Sequence, residues 1–268
     1  MNGSGFLGRV TAVVLTWDEE ANLGRTLAML GGVNRVLVID SGSGDGTRAV
    51  AEGFPAVQFV VRSFDTFEHQ WNYALDLVET EWVLALDADY VLSPELRAEL
   101  ESIDPSAEWA GYEAGFEYWL WGQKLRGSLY PPKVILFRKG AGVFEQDGHA
   151  YRLRLKGRQG FLAGRVRHDD RKPLERWWKA QWRYAGEEAA KLDGAGWGEL
   201  SWADRVRRLG FLAPWLVFGY TLIGKGMIFG GVAGWGYVLQ RTLAEFVLSL
   251  RLVERRAARM GGRETPPC

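Results

Sequence analysis

Short apolar runs alternate with amphipathic stretches through the first hundred residues. Residues 10–15 are apolar and mostly β-branched, which predicts a strand buried on both faces, as in a parallel sheet. Residues 19–30 place Leu23, Leu27 and Leu30 at helical spacing and stop at Gly31-Gly32, which predicts a helix and its end. The same reading gives a strand over 33–39, a short helix over 47–53 and a strand over 57–61. A helix follows over 67–79, with Trp71, Ala74, Leu75 and Val78 on one face, and then a strand over 82–86. Ser93-Pro94-Glu95 opens another helix, with Ser as N-cap and Pro in the first turn. This alternation predicts an α/β fold: a mostly parallel central sheet with helices on both faces.

The pattern changes after Pro105. Residues 109–120 and 125–137 are aromatic, alternating and broken by Gly, which suggests antiparallel strands or a hairpin. Residues 151–155 alternate with period two. Residues 173–192 keep Leu174, Trp177, Trp178, Trp182, Ala185, Ala189 and Leu192 at helical spacing, the mark of an amphipathic helix. A Gly-rich linker follows over 193–200. The expected organisation is a domain over 1–192, whose acidic strand ends fall in about the first 104 residues, and an apolar helical appendage over 201–268.

That appendage holds two uncharged runs, 209–224 and 226–240, split by Lys225. Each is shorter than the roughly 20 residues that span a bilayer. Three readings stand open: a packed helical cap, a monotopic or re-entrant membrane attachment, and a true span. The chain as a whole is neutral, with 33 Lys/Arg against 33 Asp/Glu, but from Ser201 onward ten Lys/Arg face four acids. A basic apolar tail suits an anionic membrane surface, and its few polar residues argue against nucleic acid. The only cysteine is Cys268, which excludes a disulfide framework and a cysteine metal site. No leader pattern precedes the first strand.

The chemistry sits where strands end. The second strand runs into Asp40-Ser41-Gly42-Ser43-Gly44-Asp45-Gly46-Thr47, and the fourth into Asp87-Ala88-Asp89. Acids at the carboxyl ends of parallel strands line the crevice where such folds take ligands. Carboxylates spaced D-x-D can share a hard divalent cation, Mg²⁺ or Mn²⁺, and that cation can hold a diphosphate.

Taken with Leu15-Thr16-Trp17-Asp18-Glu19-Glu20-Ala21-Asn22-Leu23, these motifs resemble, in order and spacing, the family 2 glycosyltransferases over about residues 8–190. Gln70-Trp71-Asn72-Tyr73-Ala74-Leu75, Leu129-Tyr130-Pro131-Pro132-Lys133-Val134, Leu136-Phe137-Arg138 and Gly148-His149 resemble the subgroup with the lipopolysaccharide-core β-glucosyltransferases. The resemblance implies the GT-A fold and a cytoplasmic, membrane-facing enzyme. It would move a sugar from a nucleotide-diphosphate sugar, uracil being the default base, to a glycolipid or polysaccharide acceptor of the envelope, usually with inversion. The nearest alternatives are a polyprenyl-phosphate glycosyltransferase and a non-catalytic nucleotide-sugar-binding scaffold.

The resemblance also distributes roles. Thr16, Glu19, Asp40, Ser41, Asp45, Gln70, Asn72, Asp87, Lys133 and Arg138 are candidate nucleotide-sugar ligands. Asp87 and Asp89 are candidate metal ligands, with Asp89 the more direct. Asp147 and His149 are candidates for the base that takes the acceptor proton. Simpler roles remain open for several: Asp40 and Asp45 as turn and helix caps, Glu19 as an acid favourable to a helix N-terminus, Lys133 and Arg138 as solvated cations. His168-Asp169-Asp170 has the composition of a metal cluster, but consecutive residues of a strand point to opposite faces.

Overall fold

The structure, a computed structural model, describes residues 5–147 and 150–261, and of Asp147 and Ala150 the backbone alone. In chain order its elements are β1 (Val10–Thr16), α1 (Leu23–Ala28), β2 (Arg35–Asp40), α2 (Thr47–Glu52), β3 (Val57–Val61), α3 (Phe67–Asp76), β4 (Trp82–Asp87), β5 (Tyr90–Leu92), α4 (Pro94–Glu101), β6 (Gly111–Leu120) and β7 (Gln123–Lys124). Then come β8 (Lys133–Arg138), β9 (Gly142–Asp147), β10 (Ala150–Leu155), β11 (Gln159–His168), α5 (Leu174–Gly194), α6 (Trp202–Leu209), α7 (Ala213–Gly219) and α8 (Gly231–Met260). The chain divides into two compact units. One is Met1–Gly122 with Tyr130–Gln146 and Tyr151–Lys172; the other is Gln123–Leu129 with Asp147–Ala150 and Pro173–Cys268.

The first unit is an α/β domain. Its main sheet has the order β3-β2-β1-β4-β8-β6-β11-β5. β3, β2, β1 and β4 are parallel. β8 runs antiparallel to both β4 and β6, β11 is parallel to β6, and β5 closes the sheet antiparallel to β11. The continuous apolar runs have a direct cause. Val10, Ala12 and Val14 of β1 join Leu84 and Leu86 of β4 in one core with α1 and α4. Val13 and Leu15 join Leu37, Ile39 and Val83 in a second core with Trp71, Ala74 and Val78. Both faces of the central strands are covered, so neither can be polar.

Some expectations shift. The helix expected over 19–30 is helical only at Leu23–Ala28, because residues 18–20 bond to the loop after β2. Ser93 caps α4 as the sequence implies, accepting from the Leu96 N–H, with Pro94 at its start. β11 has little apolar signal, since only its alternate residues Leu162 and Val166 enter the core. It also carries a bulge between Leu162 and Arg165. The N–H groups of Ala163 and Gly164 there donate to the Glu99 carboxylate of α4, at 3.0 and 2.8 Å.

The second unit is helical. Ala185, Ala189 and Leu192 of α5 pack with Val247, Leu248 and Leu252 of α8 and with Leu200. Arg207 of α6 forks onto the buried Glu245 of α8, with bonds of 2.8 and 3.1 Å to Oε1, a geometry that a carboxylate and guanidinium share. The break between the units therefore falls before α5 rather than at 192, because α5 buries its small-residue face on α8. Its first-half aromatics Trp178 and Trp182 stay exposed, and Arg251 lies over the Trp182 ring at 4.2 Å. The apolar run that ends at Gln240 does not end a helix: α8 continues through the basic segment to Met260. Among the described residues no helix is long and apolar enough to cross a membrane.

A Cβ at Gly164 would overlap the backbone of Leu96 where α4 lies against the bulge. Gly164→Ala should destabilise the protein by about 1–3 kcal/mol, read as a lower urea midpoint at unchanged slope. An unchanged midpoint would contradict the packing of α4 on β11.

Candidate active site

Three predicted site residues end three adjacent strands. β1 pairs with β2 so that Thr16 lies beside Asp40, and with β4 so that Leu15 lies beside Asp87. The strand order reverses its direction of growth around β1 and β4, and ligands of open α/β sheets bind outside the carboxyl edge at such a point.

Asp40 is buried. Its Oδ1 accepts from the Thr16 hydroxyl at 2.9 Å and from the Ser43 hydroxyl at 2.5 Å; its Oδ2 accepts from the N–H groups of Gly42 and Ser43 at 2.9 and 2.8 Å. Four bonds use the carboxylate's usual capacity, so here Asp40 shapes the loop that follows it. That loop is tied to the one after β1. Asp18 N–H donates to the Ser43 hydroxyl at 2.7 Å, and Gly44 N–H returns a bond to Asp18 Oδ1 at 2.7 Å. Glu19 N–H donates to the Thr47 hydroxyl at 2.6 Å, Glu20 N–H to Asp45 at 3.1 Å, and Gly46 N–H to Glu20 at 3.0 Å. Asp45 also accepts from the Thr47 N–H at 3.0 Å. Ser41 accepts from Gln70 at 3.1 Å, and the same amide donates to the Arg62 carbonyl at 3.1 Å. Asp45 and Gln70 thus hold the loop bundle in shape.

Acids and bases gather at the end of β4. Asp87 Oδ1 accepts from the Tyr151 hydroxyl at 2.9 Å. Asp89 Oδ2 faces His168 Nε2 at 3.0 Å. Burial raises the Asp89 carboxyl, but His168 and Lys172 outweigh it and hold it at about 2. Burial lowers the His168 imidazole, but Asp89 outweighs that and raises it. Glu19 accepts from Asn22 at 2.8 Å and from the Lys172 ammonium. Burial pushes Glu19 up to about 7, against the pull of Lys172 and with the push of Asp89. Lys133 donates to the hydroxyls of Tyr90 at 3.1 Å and Tyr130 at 2.8 Å, and lies over the Tyr151 ring. Burial lowers its ammonium, opposed by Asp87 and Asp89.

Two predicted ligands lie elsewhere or do other work. β8 runs antiparallel to β4 with Arg138 opposite Trp82, so Lys133 lies at the acidic edge and Arg138 at the far one. Arg138 is spent there on the carbonyls of Pro105, Ala107 and Trp109 and on the Trp82 ring; it is not a diphosphate ligand at this edge. Asn72 exchanges two bonds with the Phe144 backbone, at 2.9 and 3.0 Å. It anchors the β9–β10 hairpin that carries Tyr151. The Asp147 side chain and His149 lie outside the described residues.

Residues 168–170 look divided between opposite faces in the sequence; the structure brings the 168–172 segment to the edge. Its residues do alternate: His168 meets Asp89, Asp169 pairs with Arg25 and Arg171, and Asp170 accepts from Asn22 at 2.9 Å. Among the described residues no three His, Cys, Asp or Glu groups form a ready metal centre. The donor chemistry of Asp87, Asp89 and a neutral His168 nevertheless suits a hard divalent cation that brings other oxygen ligands with it. A protonated His168 does not, having no lone pair to offer.

Residues 11–137 match the family model described as glycosyl transferase family 2. Over those residues, just under half of the chain, it is a family 2 glycosyltransferase domain. An uncharacterized glycosyltransferase of Rickettsia felis is 34% identical over 96 residues, 35% of this chain and 34% of that one. The lipopolysaccharide core biosynthesis glycosyltransferase LpsC of Rhizobium meliloti is 26% identical over 159 residues, 57% of each chain. The match thus covers a third to just over half of these relatives. Among solved structures, S. aureus TarS 1-349 in complex with UDP-GlcNAc aligns over 96% of this chain and 93% of that one, at 13% identity and a TM-score of 0.46. The family match ends at the last core residue of β8 and so omits His168 and Lys172. Only the pairing of β11 with β5 and β6 delivers them.

The His168–Asp89 pair has a definite pH signature. His168 is raised on folding, so its stabilisation is full below about pH 6.5 and is lost as pH rises through the raised value. Asp89 is depressed, so its share is present above about pH 4 and lost towards pH 2. Metal-free protein should therefore lose stability on the alkaline side, and His168→Gln should remove that loss. The urea midpoint between pH 6 and 9 is the measurement; identical profiles for the two proteins would contradict the pairing.

Proposed function

We propose that this protein is an inverting glycosyltransferase that moves a sugar from a nucleotide-diphosphate sugar, a UDP-sugar in the default case, to a glycolipid or polysaccharide acceptor of the cell envelope. It works with Mg²⁺ or Mn²⁺ at the cytoplasmic face of the membrane. The observation that carries the reading is the convergence of Thr16, Asp40 and Asp87 on adjacent strand ends, with Asp89, His168 and Lys133 around the last of them. The family match and the similarity to LpsC, a lipopolysaccharide core biosynthesis glycosyltransferase, support it.

Asp87 and Asp89 would hold the cation, which when bound offsets charge on the departing diphosphate. The two zipped loops form the nucleoside wall, with Glu19 and Ser41 its candidate contacts. Lys133 keeps a positive charge beside Asp87 and so lowers the repulsion that a diphosphate meets at an acidic edge. His168 keeps Asp89 ionised before the donor arrives and must give up its proton to share in holding a cation. Asp147, at the end of β9, is the proposed base for the acceptor hydroxyl, and His149 its rival. Either would act only in the transition state, so loss of the base spares donor binding.

Asp89→Asn should abolish turnover while the melting temperature stays within a few degrees of wild type. Donor hydrolysis and transfer at saturating Mn²⁺ are the readouts. A near-wild-type rate would refute the metal role of Asp89.

A further inference from the structure

The second unit has an acid-free surface segment. Between Asp204 and Glu245 the sequence holds no Asp or Glu, but five cations: Arg205, Arg207, Arg208, Lys225 and Arg241. Arg207 is spent on Glu245; Arg205 and Arg208 each donate to a backbone carbonyl, of Trp197 and Ala195 at 3.0 and 2.7 Å, and none of these others has a carboxylate within that segment to meet. The same stretch leaves large apolar side chains in water: Phe211 is 70% exposed, Trp215 65%, Phe229 74% and Val232 74%. A folded monomer seldom leaves so many large apolar groups together unless something covers them.

Two of these groups belong with α8: Val232 is part of it, and Trp215 meets its Phe246 ring. Between Val232 and Val253 its exposed apolar residues are Val232, Trp235, Leu239, Leu243, Leu250 and Val253. At 100° per residue they fall within a stripe about 80° wide that runs about 30 Å along the helix. The opposite face carries the buried Tyr237, Leu248 and Leu252, with the buried Val238 and Val247 on its flanks. Phe246 lies in the exposed stripe and meets the Trp215 ring of α7 edge-on at 5.5 Å, which joins α7 to the stripe. Arg126 stands over the Phe229 ring at 6.0 Å and adds a cation beside it.

We infer that the α7–α8 face from Phe211 to Leu243 is a monotopic docking surface for an anionic lipid bilayer. Trp and Phe side chains enter the head-group boundary, while Arg205, Arg208, Lys225 and Arg126 meet lipid phosphates. The inference deepens the membrane part of the proposed function by naming the partner and the surface. Aromatic residues with cations and without acids suit that boundary. A second copy fits less well: it would bring the same acid-free cations to the contact and no carboxylates to meet them. Nor does α8 thread the bilayer, since it is not apolar enough to cross one.

The test is co-sedimentation of the full chain with vesicles of phosphatidylcholine alone and with added phosphatidylglycerol, at low and high salt. Binding is expected on the anionic vesicles, weakened when NaCl rises from about 50 to about 500 mM. Trp215→Ser with Phe229→Ser should lower the bound fraction about tenfold or more. Both side chains are exposed, so the variant should melt like wild type. Lys225→Gln with Arg205→Gln should weaken binding to anionic vesicles without removing apolar surface. No binding in any condition, equal binding to neutral vesicles, or a dimer in solution that Trp215→Ser with Phe229→Ser breaks would overturn the inference. Nucleoside diphosphate binding with Mn²⁺, followed by thermal shift in the same preparations, reports the donor site separately. Failure on vesicles with intact nucleotide binding sinks only the docking surface.

Discussion

Asp87 and Asp89 stand two residues apart where β4 leaves the sheet, and Glu19 lies close enough to be felt by Asp89. Three carboxylates withdrawn from water cannot share one edge without counter-charge. The first unit supplies it from three directions: Lys133 from the start of β8, His168 from the end of β11, and Lys172 four residues on. This requirement explains why the sheet extends beyond its parallel half. β8 and β11 carry cations to an edge that the βα units alone would leave electrostatically unbalanced. Under the proposed function the same balance would change on cation binding: His168 would compete for Asp89, and Glu19, raised to about 7, could give up its proton.

The loop side of the edge, the proposed nucleoside wall, is held differently. The loops after β1 and β2 contain little apolar material, and reciprocal hydrogen bonds lock them together: Asp18 with Ser43 and Gly44, Glu19 with Thr47, Glu20 with Asp45 and Gly46. Asp40 sits beneath them with all four of its bonds made. A rigid polar wall of this kind presents main-chain and side-chain groups without a reorganisation cost on binding. It also truncates α1, because the residues expected to start that helix are used in the wall.

The parallel half of the sheet was legible because both faces of β1, β2 and β4 are buried and leave long apolar runs, and because Ser93-Pro94 and the strand-end acids are local signals. Asp40, Asp87 and Asp89 stand out at strand ends for that reason. His168 reads in the sequence only as part of His168-Asp169-Asp170, and Lys172 carries no local signal, since their meaning depends on β11 pairing with β5 and β6 across more than forty residues of chain, and β11 shows only two core positions. Arg138 was misplaced because direction along a strand is not visible in spacing: at one end of β8 a cation meets the strand-end acids, at the other it meets Glu81 and backbone carbonyls. The C-terminal apolar runs were seen, but not that Arg207 and Glu245 pair inside the helical unit or that α8 passes through the change from apolar to basic sequence.

The central claim is that the β4 edge binds a nucleoside diphosphate through a cation held by Asp87 and Asp89. Calorimetric titration of UDP into the purified protein, with Mn²⁺ and with EDTA, in two buffers of different ionisation enthalpy, tests it directly. The account predicts binding that requires Mn²⁺ and releases protons near pH 7, as His168 and Glu19 lose theirs. Equal affinity with EDTA and no proton release would contradict it.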